Sequence, residues 1–83
     1  MSLKLRIVSP EKVVFDGDVE SVLVPGTSGS FEILTDHAPI ISSLQEGKVE
    51  YATKTGKEQL AIIGGFVEVQ TNEARLCVER RTD

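Results

Sequence analysis

The chain has 83 residues, of which 40% are hydrophobic and 27% are charged, and its formal net charge is −4. A chain of this length builds one domain around one core, and its balance of apolar and charged residues is typical of a folded soluble domain. A net negative charge disfavours binding to nucleic acid or anionic lipid, because both require a basic surface. We therefore expect a single domain over residues 1–83 that binds no nucleic acid.

The amino-terminal part of the chain predicts paired strands. Leu3–Val8 alternates apolar and cationic residues, which indicates a strand with one buried face. Because this segment contains no long apolar run, it is neither a signal peptide nor a membrane span, and we expect no direct insertion into a membrane. Asp16-Gly17 follows a second apolar stretch and predicts a hairpin turn, since glycine takes a positive φ at no steric cost. The return strand of that hairpin is predicted over Asp18–Val24.

Strand and turn signals continue to the end of the chain. Lys48–Thr53 alternates like a half-buried strand, and Lys54–Lys57 predicts a hairpin tip. The apolar run Gln59–Ile63 predicts a strand covered on both faces, which the Gly64-Gly65 pair then breaks. A glycine pair inside a strand pattern indicates a bulge or a close approach of two backbones. The last two strands are predicted over 66–71 and 74–79.

The chain lacks the pattern of a stable helix. No segment keeps apolar residues at a 3.6-residue period over the roughly twelve positions that such a helix needs. Turn signals recur at a spacing of about 8–12 residues, which is typical of a sandwich or a barrel. The sequence therefore predicts an all-β sandwich of about eight to ten short strands with no substantial helix.

The residues that could carry chemistry are few. His37 is the only histidine, and its neighbour Asp36 points to the opposite face if the segment is extended. We favour a histidine that hydrogen-bonds and shapes its own loop over a catalytic base, and contact with a partner is compatible with that role. Cys77 is the only cysteine, so it forms no internal disulfide and no cysteine-based zinc cluster. With no metal-ligand spacing and no glycine loop before a helix, the sequence predicts no catalytic, metal or cofactor site.

With no catalytic, metal or cofactor site predicted, the remaining interpretation is a binding or structural module. Other interpretations of the sequence stay open beside it. One is a carrier domain of the lipoyl or biotinyl type, which holds its cofactor on a lysine at a hairpin tip, where Lys54 lies. Its neighbours Thr53 and Thr55 do not match those hairpins, which disfavours this interpretation. A free-standing adaptor with the same fold is a second alternative, and a small hydrolase that uses His37 is a third.

Six short motifs, taken in order and at their spacing, closely resemble the epsilon subunit of the F-type ATP synthase. Each motif is weak alone, but together they cover residues 3–79. The resemblance implies a flattened sandwich of two antiparallel sheets and a subunit of the rotating central stalk without an active site. The motifs are Phe15-x-Gly17-x-Val19, Val22-x-Val24-Pro25-Gly26, Gly29-x-Phe31-x-Ile33-Leu34, His37-Ala38-Pro39-Ile40, Leu44-x-x-Gly47-x-Val49 and Gly64-Gly65-Phe66-x-Glu68-Val69.

The resemblance also implies partners. Such a subunit fastens the gamma subunit to the membrane c-ring, so that torque from ion flow reaches the catalytic head. It lies at the cytoplasmic face of the bacterial inner membrane, as a peripheral part of the ATP synthase complex. The residues implied to face the polar loops of the c-ring are Ser28, Gly29, Ser30 and Glu32. The residues implied to face the gamma subunit are Ser9, His37, Ile40, Ile41 and Ser42.

The two isoleucines on the gamma side can be judged from the pattern itself. Because Ile40 and Ile41 are adjacent in a predicted strand, one of them should point away from the core unless both faces are covered. An apolar side chain that faces outward among polar neighbours is a plausible interface anchor, and burial against the second sheet is the alternative.

The chain departs from the family in three places. Glu32 stands where the family usually has glycine, so it either restricts the backbone or contacts cationic residues of the c-ring loops. Thr35-Asp36 replaces the usual residues before the histidine, which puts the shape of that loop in question. Most bacterial and chloroplast relatives continue into a C-terminal α-helical hairpin that inhibits ATP hydrolysis. Residues 1–83 do not include it, so we expect neither hairpin inhibition nor a nucleotide site.

Overall fold

The computed structural model describes residues 2–81 and contains eight strands and no helix in that range. The predicted all-β class and the predicted number of strands are both confirmed, while Met1, Thr82 and Asp83 lie outside the described range. The strands are β1 (Leu3–Val8), β2 (Val13–Val19), β3 (Ser21–Gly26), β4 (Gly29–Ile33), β5 (Ile40–Leu44), β6 (Gly47–Thr53), β7 (Gly56–Gln70) and β8 (Glu73–Arg80).

The strands form two layers that share the long strand β7. The first half of β7 pairs with β6, and its second half pairs with β5 and β8. The first layer therefore has the order β2-β1-β8-β7-β5, and the second has the order β7-β6-β3-β4. The two layers form a flattened sandwich with extents of 36 × 28 × 19 Å. The pairing of β1 with β8 is parallel, and the other pairings are antiparallel.

A second contact joins the layers beside the bend in β7, where Leu44 lies opposite Gly65. Gly26 in β3 pairs with Leu44 in β5. Backbone hydrogen bonds flank this pair, from the Thr27 amide to the Ser43 carbonyl at 3.1 Å and from the Gln45 amide to the Pro25 carbonyl at 2.9 Å. Strands β5 and β6 therefore lie end to end, with β7 along one edge of both and β3 along the other.

Every strand contributes alternate side chains to one core. In β1 the odd-numbered apolar residues are buried and the cations between them are exposed, which confirms the sequence prediction. No polar or charged side chain is buried among residues 2–81. Burial of each large aliphatic side chain contributes roughly 1.5–3 kcal/mol. The fully buried large side chains are Leu3, Leu5, Ile7, Val22, Val24, Ile33, Val49, Ile62, Val67, Val69 and Leu76.

The glycine pair in β7 produces both features that the sequence indicates. The register between β7 and β8 shifts between Ile62 and Gly64, which is a bulge. At Gly65, where φ is +148°, an added Cβ would lie 2.2 Å from the Cys77 carbonyl oxygen, so the two backbones are in close contact. The predicted break into two strands is wrong, because β7 continues through the bend as 15 residues. Its partners change there, from β6 to β5 and β8, without a turn.

The hairpin predicted at Asp16-Gly17 is also wrong. Strand β2 passes through this dipeptide, with Gly17 opposite Leu5 and Asp16 opposite Arg6. The chain turns instead at Glu20, whose amide donates to the second layer at 2.8 Å. Strands β2 and β3 belong to different layers, so they cannot form a hairpin with each other. The Asp-Gly signal describes a local tendency, and here the pairing with β1 overrides it.

Candidate functional site

The residues implied to face the c-ring lie together on the β3–β4 hairpin. Gly29 begins β4 at a φ of +126°, a backbone conformation that suits glycine. The side chains of Ser30 and Glu32 both leave the outer face of β4. Glu32 pairs regularly with Leu23 and has no positive φ, so its position does not require a glycine. All four of the predicted residues are exposed: Ser28, Gly29, Ser30 and Glu32.

Three of the residues implied to face the gamma subunit lie on β5 and divide between its two sides. Ile41 is 74% exposed on the outer face of the first layer, while Ile40 packs against the core. The prediction that one of the two isoleucines points outward is therefore confirmed, and Ile41 is that residue. Ser42 is half-buried on the same side as Ile40, and its hydroxyl donates to the Ser43 carbonyl at 3.2 Å. Ile40 and Ser42 thus do not share the outer face with Ile41.

Ser9 shapes the turn between β1 and β2. Its hydroxyl accepts a hydrogen bond from the Lys12 amide at 3.3 Å, and its own amide donates to the Lys12 carbonyl at 2.9 Å. A serine that bonds the backbone a few residues along is a common way to fix a tight turn. Ser9 also lines an open, mainly apolar groove on the outer face together with Val8, Phe66 and Cys77.

That groove belongs to an apolar row that crosses four strands of the first layer. The row consists of Phe66 in β7, Cys77 in β8, Val8 in β1 and Val13 in β2, each opposite the next. Phe66 is 46% exposed, although aromatic side chains are normally buried. On the far side of Phe66, β5 adds Ser43 directly opposite and Ile41 two positions away. The row therefore runs from Ser43 to the turn that Ser9 shapes, and Ile41 lies beside its β5 end, opposite Glu68.

Sequence reasoning missed Phe66, Val8 and Val13 as surface residues. The row exists only because three different pairings set these residues side by side. The available sequence signal for an exposed Phe66 was its position next to the glycine pair. That position does not predict to which face of the sheet the ring points.

Charged side chains border the apolar row on the same face. The next row across the sheet contains Glu68, Arg75, Arg6 and Asp16 in that order. The Arg6 guanidinium donates to the Asp16 carboxylate at 3.2 Å, and both side chains are half exposed or more. Exposed pairs of this kind contribute little to stability, at most about 1 kcal/mol. An apolar strip with a charged border is the usual composition of a protein interface.

His37 lies in the loop between β4 and β5, outside both strands. Its amide donates to the Leu34 carbonyl at 3.1 Å, and Asp36 has a φ of +67°, as in a type II turn. The Nδ1 atom of His37 lies 2.7 Å from the Ala38 carbonyl oxygen. Because a carbonyl oxygen only accepts, the neutral imidazole carries its proton on Nδ1, and its Nε2 atom remains an acceptor. The prediction that His37 hydrogen-bonds its own loop is confirmed.

Asp36 pairs with a distant residue, and this explains how the departure at Thr35-Asp36 is accommodated. The Asp36 amide donates to the Asn72 side-chain oxygen at 2.6 Å, and the Asn72 amide group donates to the Asp36 carboxylate at 3.1 Å. The two residues are 36 positions apart in the chain. The loop before the histidine is therefore fastened to the turn between β7 and β8.

The structure does not assemble a reaction centre from the candidate residues. The His37 ring lies beside Phe31 of β4, with ring centroids 6.4 Å apart, while Cys77 lies in the apolar row. Between Ser2 and Arg81 there is no cluster of three or more side chains of the types that bind metals. The same part of the chain contains no helix that could cross a membrane.

The fold shifts the acid–base behaviour of Tyr51. It lies in β6, and its ring contacts Phe15 of β2 with a centroid distance of 4.6 Å, which joins the two layers. Burial raises the pKa of Tyr51, and the carboxylate of Glu58 on the neighbouring strand raises it further. Both effects disfavour the phenolate, because one removes water and the other adds a like charge.

Comparison with known families shows which family the chain belongs to. The family described as ATP synthase, delta/epsilon chain, β-sandwich domain matches residues 2–82. The chain belongs to this family. The ATP synthase epsilon chain of Nostoc punctiforme is 41% identical over 80 residues, which cover 94% of this chain and 58% of that protein. The epsilon chain of Gloeothece citriformis is 37% identical over 78 residues, or 94% of this chain and 56% of the relative. This delta/epsilon-type chain thus spans less than two thirds of the relatives it matches.

Solved structures agree on the fold of this delta/epsilon-type domain. A chain in the mitochondrial ATP synthase of Euglena gracilis, solved as OSCP/F1/c-ring, superposes with a TM-score of 0.87 at 21% identity and covers 93% of this chain and 50% of that one. A chain in the central stalk and c-ring of the Tetrahymena thermophila enzyme superposes with a TM-score of 0.84 at 17% identity, over 100% and 67% of the two chains. At these identities the superpositions establish the β-sandwich fold alone.

Proposed function

We propose that this domain is a non-catalytic part of the central stalk of an F-type ATP synthase. In this role it docks the gamma subunit to the c-ring and couples ion translocation to ATP synthesis, as a peripheral component at the cytoplasmic face of the bacterial inner membrane. The observation that carries the proposal is the exposed apolar surface around Ile41 and Phe66 on a domain of the epsilon-chain family. The relatives are named ATP synthase epsilon chain, and the structural neighbours come from stalk and c-ring assemblies.

The gamma side of the proposal is the outer face of the first layer. Ile41 and Ser9 lie at two ends of this face, with Phe66 between them. Covering the side chain of an isoleucine that is 74% exposed removes apolar area from water and supplies about 2 kcal/mol of affinity. Ile40 and Ser42 act from the inner side by holding β5 to the core. His37 contributes the Nε2 acceptor at the start of that strand.

The c-ring side of the proposal is the β3–β4 hairpin. Ser28 and Gly29 offer a small, polar tip, and Glu32 offers a carboxylate to cationic groups of the ring loops. The Thr27 amide donates to the Ser43 carbonyl at 3.1 Å, so this hairpin is tied directly to β5. Both proposed surfaces therefore belong to one closely packed body, which can transmit force between two partners.

The test is co-purification of the chain with the gamma subunit of the same organism. Ile41→Ser should weaken the complex about 10-fold to 100-fold, and Phe66→Ser should do the same, because each removes an apolar anchor. Leu23→Ser is the matched control, since Leu23 is 39% exposed on the outer face of the second layer. It should leave the affinity for gamma unchanged.

Circular dichroism of each variant verifies that the β-sandwich is intact. Equal weakening by all three substitutions would contradict the assignment of the gamma side to the first layer. A well-folded chain that forms no complex with gamma would overturn the stalk function and leave a free-standing adaptor of the same fold.

A further inference from the structure

Asn72 connects three segments that are far apart in the chain. Its side chain exchanges two hydrogen bonds with Asp36 in the histidine loop, at 2.6 and 3.1 Å. Its backbone carbonyl accepts a hydrogen bond from the Lys4 amide at 2.9 Å, near the start of β1. Asn72 itself forms, with Thr71, the turn between β7 and β8. One residue therefore holds β1, the β7–β8 turn and the histidine loop together.

Both partners of this contact keep an unfavourable backbone conformation. Asp36 has a φ of +67°, and Thr71 and Asn72 have φ values of +51° and +59°, as in a type I′ turn. Left-handed geometry is disfavoured for residues with a side chain, and it is least favourable for a β-branched residue such as Thr71. The hydrogen bonds between Asp36 and Asn72 offset this cost and select one conformation for each turn.

We propose that the Asp36–Asn72 pair is a positioning clamp that presents the histidine loop and the start of β5 to a protein partner. The partner in question is the gamma subunit of the proposed function, on which this inference rests. The clamp acts through His37, which follows Asp36 directly, and through Ile41, which lies five positions further along. Asp36 and Asn72 are positioning residues, because neither belongs to the apolar row that supplies the affinity.

The Asp36–Asn72 pair lies outside the buried core of the sandwich. Asp36 is exposed and Asn72 half-buried, and no side chain of the buried core takes part in their hydrogen bonds. The strand ladders on both sides are complete without the pair, since β5 pairs with β7 from Ile40 onward and β7 with β8 up to Glu73. Loss of the clamp should thus free the loop and leave the sandwich folded.

The chemistry of the pair allows a matched series of variants. Asp36→Asn keeps both hydrogen bonds, because an amide oxygen accepts from Asn72 as the carboxylate does. Asn72→Asp removes one donor and sets two carboxylates against each other. The double variant Asp36→Asn with Asn72→Asp restores one amide and one carboxylate with the positions exchanged. Both substitutions preserve side-chain size, so packing is the same in all three variants.

The experiment combines gamma affinity with amide hydrogen exchange of the free chain measured by nuclear magnetic resonance. We expect Asn72→Asp to speed exchange at the Asp36 and His37 amides and to weaken gamma binding about 10-fold, while core amides stay protected. Asp36→Asn should bind within about 3-fold of the original chain, and the double variant should recover most of the lost affinity.

The outcomes separate this inference from the proposed function. Faster loop exchange in Asn72→Asp without any loss of gamma affinity would overturn the clamp and leave the stalk function standing. Failure of the double variant to recover affinity would also overturn it, because the effect would then not come from the pair. Absence of gamma binding by the unsubstituted chain would overturn the proposed function and the positioning role with it.

Discussion

Gly65 and Gly29 take similar left-handed backbone conformations in surroundings that differ sharply. Gly65 lies in the bend of β7 at a φ of +148°, and an added Cβ would come within 2.2 Å of the Cys77 carbonyl and 2.8 Å of the Val78 Cα. Gly29 lies on the β3–β4 hairpin at a φ of +126°, and nothing comes within 4 Å of an added Cβ. The first glycine is required by conformation and by packing, the second by conformation alone.

The difference separates positions that build the fold from positions that are free to meet partners. The bend at Gly65 allows one strand to serve both layers, and an added Cβ there would push β8 away from β7. The hairpin at Gly29 ends in open space, where a second protein can approach without disturbing the core. Substitutions at these glycines test this distinction directly.

Gly65→Ala should lower the free energy of unfolding by more than about 4 kcal/mol, because the new methyl group overlaps backbone atoms that cannot move independently. Gly64→Ala is the matched control. Its Cβ would approach nothing closer than the Leu44 carbonyl oxygen at 3.8 Å, which is an ordinary contact. Urea unfolding of the two variants measures the difference. A similar loss of unfolding free energy in both variants would mean that the bend depends on the flexibility of glycine and not on the close approach at Gly65.

Gly29→Ala should lower the free energy of unfolding by about 1 kcal/mol, because alanine disfavours the positive φ even where no atom is close. Gly56→Ala is its control, since Gly56 has a φ of +143° and also has nothing within 4 Å of an added Cβ. Thermal unfolding should give nearly equal losses for the two variants. Binding to the c-ring should weaken for Gly29→Ala alone, because Gly56 lies on the β6–β7 hairpin. Equal weakening by both would contradict the assignment of the β3–β4 hairpin to the ring.

Tyr51→Phe should have the smallest effect at neutral pH and a clear effect in alkali. The raised pKa of Tyr51 means that the folded chain favours the protonated phenol, so its contribution to stability is complete below the ordinary pKa of 10.0. That contribution is lost as the pH rises from 10.0 through the higher pKa of the folded state. The phenylalanine variant should therefore lose less stability above this pH than the original chain.

The stability of these two chains in alkali reports on the edge of the core, where packing and charge both act on Tyr51. Tyr51 is the only tyrosine and the chain has no tryptophan, so the absorbance of the ionised phenol reports this residue alone. Titration of the phenol at its ordinary value in the folded chain would contradict the raised pKa.

Local sequence patterns predict the strands of this fold well where one face is buried. β1 has the predicted bounds, because strict alternation with Lys4 and Arg6 leaves only one way to bury Leu3, Leu5 and Ile7. The same alternation predicts that one of Ile40 and Ile41 points outward, and the structure shows that this residue is Ile41.

Contacts between distant segments lie beyond such patterns. Asp16-Gly17 has a strong local turn signal, yet its partner in β1 makes it part of a strand. The apolar row around Phe66 depends on the register of four strands, including a parallel pair that turn signals do not predict. The clamp between Asp36 and Asn72 joins residues 36 positions apart, and nothing in either local segment indicates the other.

Strands β5 and β6 lie end to end between β3 and β7, and this arrangement has a mechanical consequence. The joint between them, Gln45-Glu46, lies beside the bend of β7, because Leu44 is opposite Gly65 and Gly47 is opposite Ile62. On the other edge, β3 pairs with β6 and, through Gly26, with Leu44, and two backbone hydrogen bonds flank that last pair. A load that bends the domain at this joint would therefore be shared by β3 and β7 and would not fall on Gln45-Glu46 alone.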